Sequence, residues 1–178
     1  MTAIPQDITT RAAKVRLMIF DIDGVMTDGS LHYEAEGETI KTFHVHDGLG
    51  IKLLQQTGVA TAIITARQSE IITKRAKDLG IVHVMQGVHD KRAGFDALLE
   101  KTGLTADACG FVGDDWIDLP ILTHVGFAVS VPNGRAEVRS RVHHVTQASG
   151  GHGAVRELCE LIMHAQGTHE TVLASYLR

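Results

Sequence analysis

Short apolar runs alternate with amphipathic stretches along this chain. Val15–Phe20, Val59–Ile64, Val82–Met85, Cys109–Val112 and Gly126–Val129 are brief, rich in β-branched residues and bounded by turn signals. That is the pattern of strands buried on both faces. Leu49–Gln56, Glu70–Leu79, Ala93–Lys101 and Ile117–Leu122 lie between them with helical periodicity. A last helix is predicted over Ala154–Gln166, with Val155, Leu158, Cys159 and Ile162 on one face. Gly58, Gly80 and Gly103 each follow a helical stretch, where a helix C-terminus favours glycine. Strand and helix in alternation predict a parallel sheet with helices on both sides. One segment breaks the rhythm. Ser30–Glu34 and Glu38–Val45 read as two strands joined by Ala35-Glu36-Gly37, a β-hairpin inserted over about residues 29–45. The tail Thr168–Arg178 has a weak pattern, which leaves it either mobile or docked on a neighbour.

The polar residues that end the strands carry the chemistry. Asp21-Ile22-Asp23-Gly24 follows the first apolar run directly. Two carboxylates one residue apart therefore stand at the mouth of the sheet, where open α/β folds bind ligands. Such acids repel one another unless a cation sits between them, so the segment predicts a magnesium site and a reactive carboxylate. Thr65 closes the second strand, with Arg67 just beyond. Lys91 opens a helix after His89-Asp90. Gly113-Asp114-Asp115 closes the fourth strand, with Asp118 three residues further on.

Composition narrows the setting. At 178 residues, with 44% apolar, the chain suits one soluble domain, residues 1–178, with a substantial core. A formal charge of −4 and the absence of any basic block exclude nucleic acid as the expected partner. No run approaches the roughly 18 apolar residues of a membrane span, and residues 1–14 contain Asp7 and no apolar core of a signal peptide. Cys109 and Cys159 are the only two cysteines, far apart and in apolar patterns, which reads as reduced thiols in a cytoplasmic protein. Eleven histidines invite a zinc reading, but the close pairs His44/His46 and His143/His144 lack a third partner at ligand spacing.

In order and type, Asp-x-Asp-Gly, the strand-end Thr65, Lys91 and Gly-Asp-Asp with Asp118 resemble the haloacid dehalogenase-like superfamily, over residues 21–118. The resemblance implies a Rossmann-like α/β fold and a phosphoryl transfer in which Asp21 is the nucleophile and forms an aspartyl-phosphate. It implies magnesium held by Asp21, the Asp23 backbone carbonyl and Asp114. Lys91 would neutralise the nucleophile and a phosphoryl oxygen, and Thr65 would donate to another. Asp23 would protonate the leaving oxygen and then activate water. Asp115 and Asp118 would orient the groups around the metal. A phospho-accepting receiver domain uses similar residues, but its acceptor Asp follows the third strand, and here that strand ends in Gln86-Gly87. A noncatalytic scaffold would be free to lose Asp21 or Lys91, and both are present.

Between Gly24 and Thr65 there is room only for the hairpin and one helix, so no cap domain covers the site. Water exclusion then falls to another subunit. Hairpins packed on copies of themselves could bury Leu31, Tyr33, Ile40 and Phe43. This plan resembles the capless 3-deoxy-D-manno-octulosonate 8-phosphate phosphatases, tetramers joined by such hairpins. The likeness rests on Asp21–Gly29, Phe43–Gly48, Ile64–Arg67, Gly113–Asp118 and Gly150-Gly151-His152-Gly153-Ala154-Val155-Arg156-Glu157. It implies a homotetramer serving lipopolysaccharide precursor synthesis. It also implies a sugar-acid phosphate held by Asp23, His44, Val45, His46, Asp47, Gly48, Lys52, Arg67, Arg75 and Lys91, since carboxylate and phosphate both call for cations. The chain departs from the family at His46, Lys52 and His152, where arginine is common. Phosphatases of nine-carbon 2-keto sugar acid 9-phosphates are the neighbouring specificity.

Overall fold

The computed structural model describes residues 5–35 and 37–178. Its centre is a six-stranded, fully parallel sheet built from β1 (Leu17–Phe20), β4 (Ala60–Ile64), β5 (His83–Met85), β6 (Cys109–Val112), β7 (Phe127–Ser130) and β8 (His144–Val145), in the order β5-β4-β1-β6-β7-β8. The first five are the predicted strands. β8 is a two-residue edge beside β7 that carries too little apolar sequence to announce itself. The remaining strands, β2 (His32–Glu34) and β3 (Gly37–Ile40), form the separate antiparallel hairpin. Glu36, in the expected hairpin turn, lies outside the described residues.

Residues alternate across the sheet, so each strand feeds two cores. Met18 and Phe20 of β1 face one layer, which holds α1 (Gln6–Ala13), α2 (Val45–Gln56), α3 (Glu70–Leu79) and α7 (Ala154–Ala165). Leu17 and Ile19 face the other, made by α4 (Lys91–Thr102), α5 (Leu119–Leu122) and α6 (Ala136–Arg139). β1 is buried throughout, as burial on both faces demands. Gly80 and Gly103 close α3 and α4 in the left-handed conformation. Among the described residues no further domain is inserted between β1 and β6. The sheet, its helices and the hairpin are thus the α/β fold expected. Among the described residues no helix is long and apolar enough to cross a membrane.

Several elements differ from expectation. The second hairpin strand stops at Ile40 instead of Val45, and Val45 instead begins α2. The alternation through Phe43 and Val45 imitates a strand, but β3 has only three-residue β2 as a partner. The helix beginning at Val45 also carries Gly48 and Gly50, which blur its pattern. α1 was not expected. In the tail, α8 (His169–Ala174) is a regular turn of helix that packs on α7.

Candidate active site

The strand order reverses at β1. From β1 the chain first fills one side of the sheet with β4 and β5, then returns to the other with β6, β7 and β8. The crevice at the C-terminal ends of β1 and β6 is therefore the place where a parallel sheet offers a binding site. Asp21 leaves β1 there and Asp114 follows β6 by one glycine. A cleft of about 330 Å³ opens over them, lined by Asp21, Asp23, Thr65, Arg67, Asp114 and Asp115 among others.

Lys91, the first residue of α4, is fully buried at the floor. Its Nζ lies 3.0 Å from Asp21 Oδ1 and donates to Asp118 Oδ1 at 2.6 Å. The other oxygen of Asp118 accepts from the backbone N–H groups of Asp114 and Asp115, at 2.9 and 3.1 Å. One buried carboxylate thus fixes both the lysine and the Gly-Asp-Asp turn. Asp115, more exposed, caps the following helical turn through the Trp116 N–H at 2.7 Å. Thr65 is buried at the end of β4, with its hydroxyl accepting only a long bond from the Arg67 N–H at 3.4 Å.

Charge in this floor is unbalanced. Asp21, Asp114 and Asp118 bring carboxylate oxygens within 4.8 Å of one another, against the single ammonium of Lys91. Burial first, then Asp118, pushes the Asp21 carboxyl up to about 7, although Lys91 pulls the other way. Burial, together with Asp118, Asp21 and Asp115, raises Asp114 to about 7. Burial opposes the charge on Lys91, but Asp21 and Asp118 outweigh it and raise its pKa. All-oxygen donors short of positive charge fit a hard divalent cation. Asp118 is already engaged on both oxygens, which leaves Asp21 and Asp114 with free ligand atoms.

The backbone around the site is packed too closely for side chains. A Cβ on Gly24 would lie 2.2 Å from Asp114 Oδ2, and its φ of +85° is one that other residues resist. A Cβ on Gly150 would meet the Gly24 carbonyl oxygen at 1.8 Å. Asn133 bridges the two, donating to Gly24 O at 2.9 Å and accepting from Gly150 N at 2.8 Å. The Gly150-Gly151 segment is therefore a brace behind the acidic loop. Ser130 Oγ, which donates to Gly113 O at 2.8 Å, braces the other loop. Neither Asn133 nor Ser130 was singled out from the sequence.

The structure gathers Asp21, Asp23, Thr65, Lys91, Asp114, Asp115, Asp118 and Arg67 around one cleft, and does not bring the other expected substrate residues to it. His44, Val45, His46, Gly48, Lys52 and Arg75 do not line it in this chain. Arg75 instead stacks over Phe43, 5.3 Å from the ring centre. Asp47 is buried, and it accepts from the N–H groups of Arg156 at 2.8 Å and Gly153 at 3.4 Å. It caps the N-terminus of α7. The hairpin contributes more than expected. Lys41 pairs with Asp23, and Tyr33 accepts from Arg67 at 3.0 Å. Of the histidines, His143 accepts from the Ala128 N–H at 2.9 Å. His164 and His169 come together with Glu170, a grouping unseen in sequence. Their rings stack with centroids 3.7 Å apart, and one ligand atom from each of the three residues lies within 4.8 Å of the others.

Comparison with known proteins agrees with this geometry. The haloacid dehalogenase-like hydrolase family matches residues 68–158. A 3-deoxy-D-manno-octulosonate 8-phosphate phosphatase of Yersinia pestis is 40% identical over 163 residues, covering 92% of this chain and 87% of that protein. The crystal structure of the Moraxella catarrhalis phosphatase of the same name, in complex with magnesium, phosphate and KDO, superposes with a TM-score of 0.94 at 41% identity. It covers 97% of this chain and 99% of that one. A probable YrbI family phosphatase from Pseudomonas syringae pv. phaseolica reaches 0.96 at 45% identity, over 98% and 99% of the two chains. With the acidic floor, the buried lysine and these relatives together, the chain belongs to the 3-deoxy-D-manno-octulosonate 8-phosphate phosphatase family of haloacid dehalogenase-like hydrolases.

Proposed function

We propose that this chain, as one catalytic domain over residues 1–178, is a magnesium-dependent phosphatase. It hydrolyses 3-deoxy-D-manno-octulosonate 8-phosphate to the free sugar acid and phosphate. The observation that carries this reading is the buried Lys91 held between Asp21 and Asp118 at the mouth of the sheet. Lys91 cannot leave the floor, and it holds one Asp21 oxygen, so the other oxygen is the one aimed into the cleft.

Asp21 attacks phosphorus, and the bond from phosphorus to the sugar oxygen breaks. The electron pair goes to that oxygen, which takes a proton from the Asp23 carboxyl. In the second half Asp23 accepts a proton from water, the water oxygen attacks phosphorus, and Asp21 is released as a carboxylate. Thr65 donates to a phosphoryl oxygen, and Lys91 neutralises charge on Asp21 and the phosphoryl group. Asp21, Asp114 and the Asp23 backbone carbonyl would hold magnesium, which supplies positive charge to the transferring group. Asp115 and Asp118 hold the loop that presents Asp114.

Arg67, part-exposed at the rim, is the cation of this chain best placed for the sugar-acid end. His44, Val45, His46, Gly48, Lys52 and Arg75 would serve from a neighbouring copy in a homotetramer. Leu31, Tyr33 and Ile40, 42%, 60% and 55% exposed on the hairpin, favour such an assembly. The free, buried Cys109 and Cys159 suit a reducing cytoplasm, and the product would feed lipopolysaccharide precursors. Phosphate release across eight- and nine-carbon keto-acid sugar phosphates, with hexose phosphates as controls, tests the reading. Preference for the eight-carbon substrate is expected. Preference for a nine-carbon acid would transfer the specificity, and equal rates on hexose phosphates would overturn it.

A further inference from the structure

Lys41, which pairs with Asp23, takes no direct part in the proposed reaction, yet its side chain is only 1% exposed. It follows β3 directly. Ile40, the last residue of β3, points outward at 55% exposure, so the next side chain turns inward. There its ammonium donates to Asp23 Oδ1. It also lies 2.8 Å from Glu38 Oε1, but off the axis of a hydrogen bond, so that contact is charge alone. The directed bond of Lys41 is therefore the one to Asp23. The other Asp23 oxygen is 3.7 Å from Arg67 Nε, beyond direct hydrogen-bond reach. Lys41 is the group that fixes which way the Asp23 carboxyl faces.

Burying an ammonium is costly unless it is paired. A lysine sealed under a hairpin cannot meet the substrate, so anything it does for the reaction passes through Asp23. Asp23 has to present one oxygen to the leaving oxygen of the substrate, and misplacement by about 1 Å costs such a step about 10²-fold. We propose that Lys41 is a positioning residue for the reaction, the hairpin's clamp that holds the Asp23 carboxyl in line with the leaving oxygen. This rests on the acid–base role given to Asp23 above. It makes the hairpin a wall of the active site as well as an assembly surface.

The choice of leaving group tests it. A sugar alkoxide needs the proton that Asp23 delivers, whereas nitrophenolate departs without one. Lys41→Met should lower kcat/KM for the sugar phosphate by about 10²-fold, mostly in kcat, and that for nitrophenyl phosphate by less than about 5-fold. Removing a buried cation can also unfold the base of the hairpin. Lys41→Arg, which keeps the charge but shifts the donor, is the second variant. It should show the same selective loss at a smaller size, about 10-fold against about 2-fold. Equal losses on both substrates in either variant, or unchanged Lys41→Arg on both, would overturn the clamp and leave a purely structural lysine. A wild-type protein inactive on both substrates would instead fail the phosphatase reading itself.

Discussion

The floor of the cleft and the hairpin beside it are built on opposite principles. The floor is complete within one chain. Asp21, Lys91 and Asp118 are buried and linked through the lysine, the Asp114 and Asp115 N–H groups hold Asp118, and the Asn133 side chain braces the acidic loop. The hairpin is a two-stranded ribbon of seven residues in strand, with Tyr33 and Ile40 exposed on it. A ribbon of that size is marginal alone. The difference teaches that the groups assigned to phosphoryl transfer are fixed by the parallel sheet, while the hairpin beside them presents exposed apolar side chains. Lys41 and Tyr33 are where the two regions touch.

The comparison breaks most sharply at Asp21. Asp21→Asn should cut turnover by about 10⁴-fold or more, because the nucleophile is lost. The melting temperature should not fall, since a buried acid short of positive charge is replaced by a neutral amide. Steady-state kinetics beside thermal unfolding checks both. Gly24→Ala comes next. Its Cβ would displace the Asp114 carboxylate, with an expected loss of about 10²-fold in kcat. A magnesium titration of that variant should show weakened binding as well.

A third prediction concerns pH. In the cation-free protein Asp21 and Asp114 are raised from 3.8 to about 7 by burial and then by repulsion from Asp118. A raised carboxyl contributes stability that is present below its unfolded pKa and is lost as pH rises through its folded value. The cation-free protein should therefore lose stability between about pH 4 and pH 7 from these two groups. Magnesium, which binds the deprotonated acids, should bind tighter and stabilise more as pH rises through the same window. Melting curves with and without magnesium at pH 5 and pH 8 test this. A larger stabilisation at the lower pH would contradict it.

The smallest effect is expected at the hairpin's outer face. Ile40→Asp should shift the assembly toward smaller species in sedimentation velocity. It should leave nitrophenyl phosphate turnover within about 3-fold, because that substrate needs only the floor. Loss of both together would mean that the floor is not self-sufficient.

The floor was legible because each of its parts carries a local signal. Asp21, Thr65 and Asp114 follow apolar strands, and Lys91 starts a helix after Asp90, which caps it. Strand-end position and residue type sufficed to place them together. What was missed depends on contacts between distant segments. Asn133 reaches Gly24 across 109 positions, and no periodicity reports that. Lys41 sits in a stretch that alternates like a strand, and nothing in that alternation reports that its inward side chain meets Asp23. Asp47 stands in a segment rich in substrate-like residues, and its service to α7 emerges only when Gly153 and Arg156 arrive beside it. The substrate surface stays the least legible, because His44, Val45, His46, Gly48, Lys52 and Arg75 do not line the cleft of this chain.

The proposed reaction turns on Asp21 taking the phosphoryl group onto itself. Rapid acid quenching of a turnover mixture, followed by mass analysis of the peptide containing Asp21, tests it most directly. The account predicts a phosphoryl group on the Asp21 carboxylate that is labile to hydroxylamine and absent from Asp21→Asn. Full turnover with no covalent adduct, or an adduct on another residue, would contradict it.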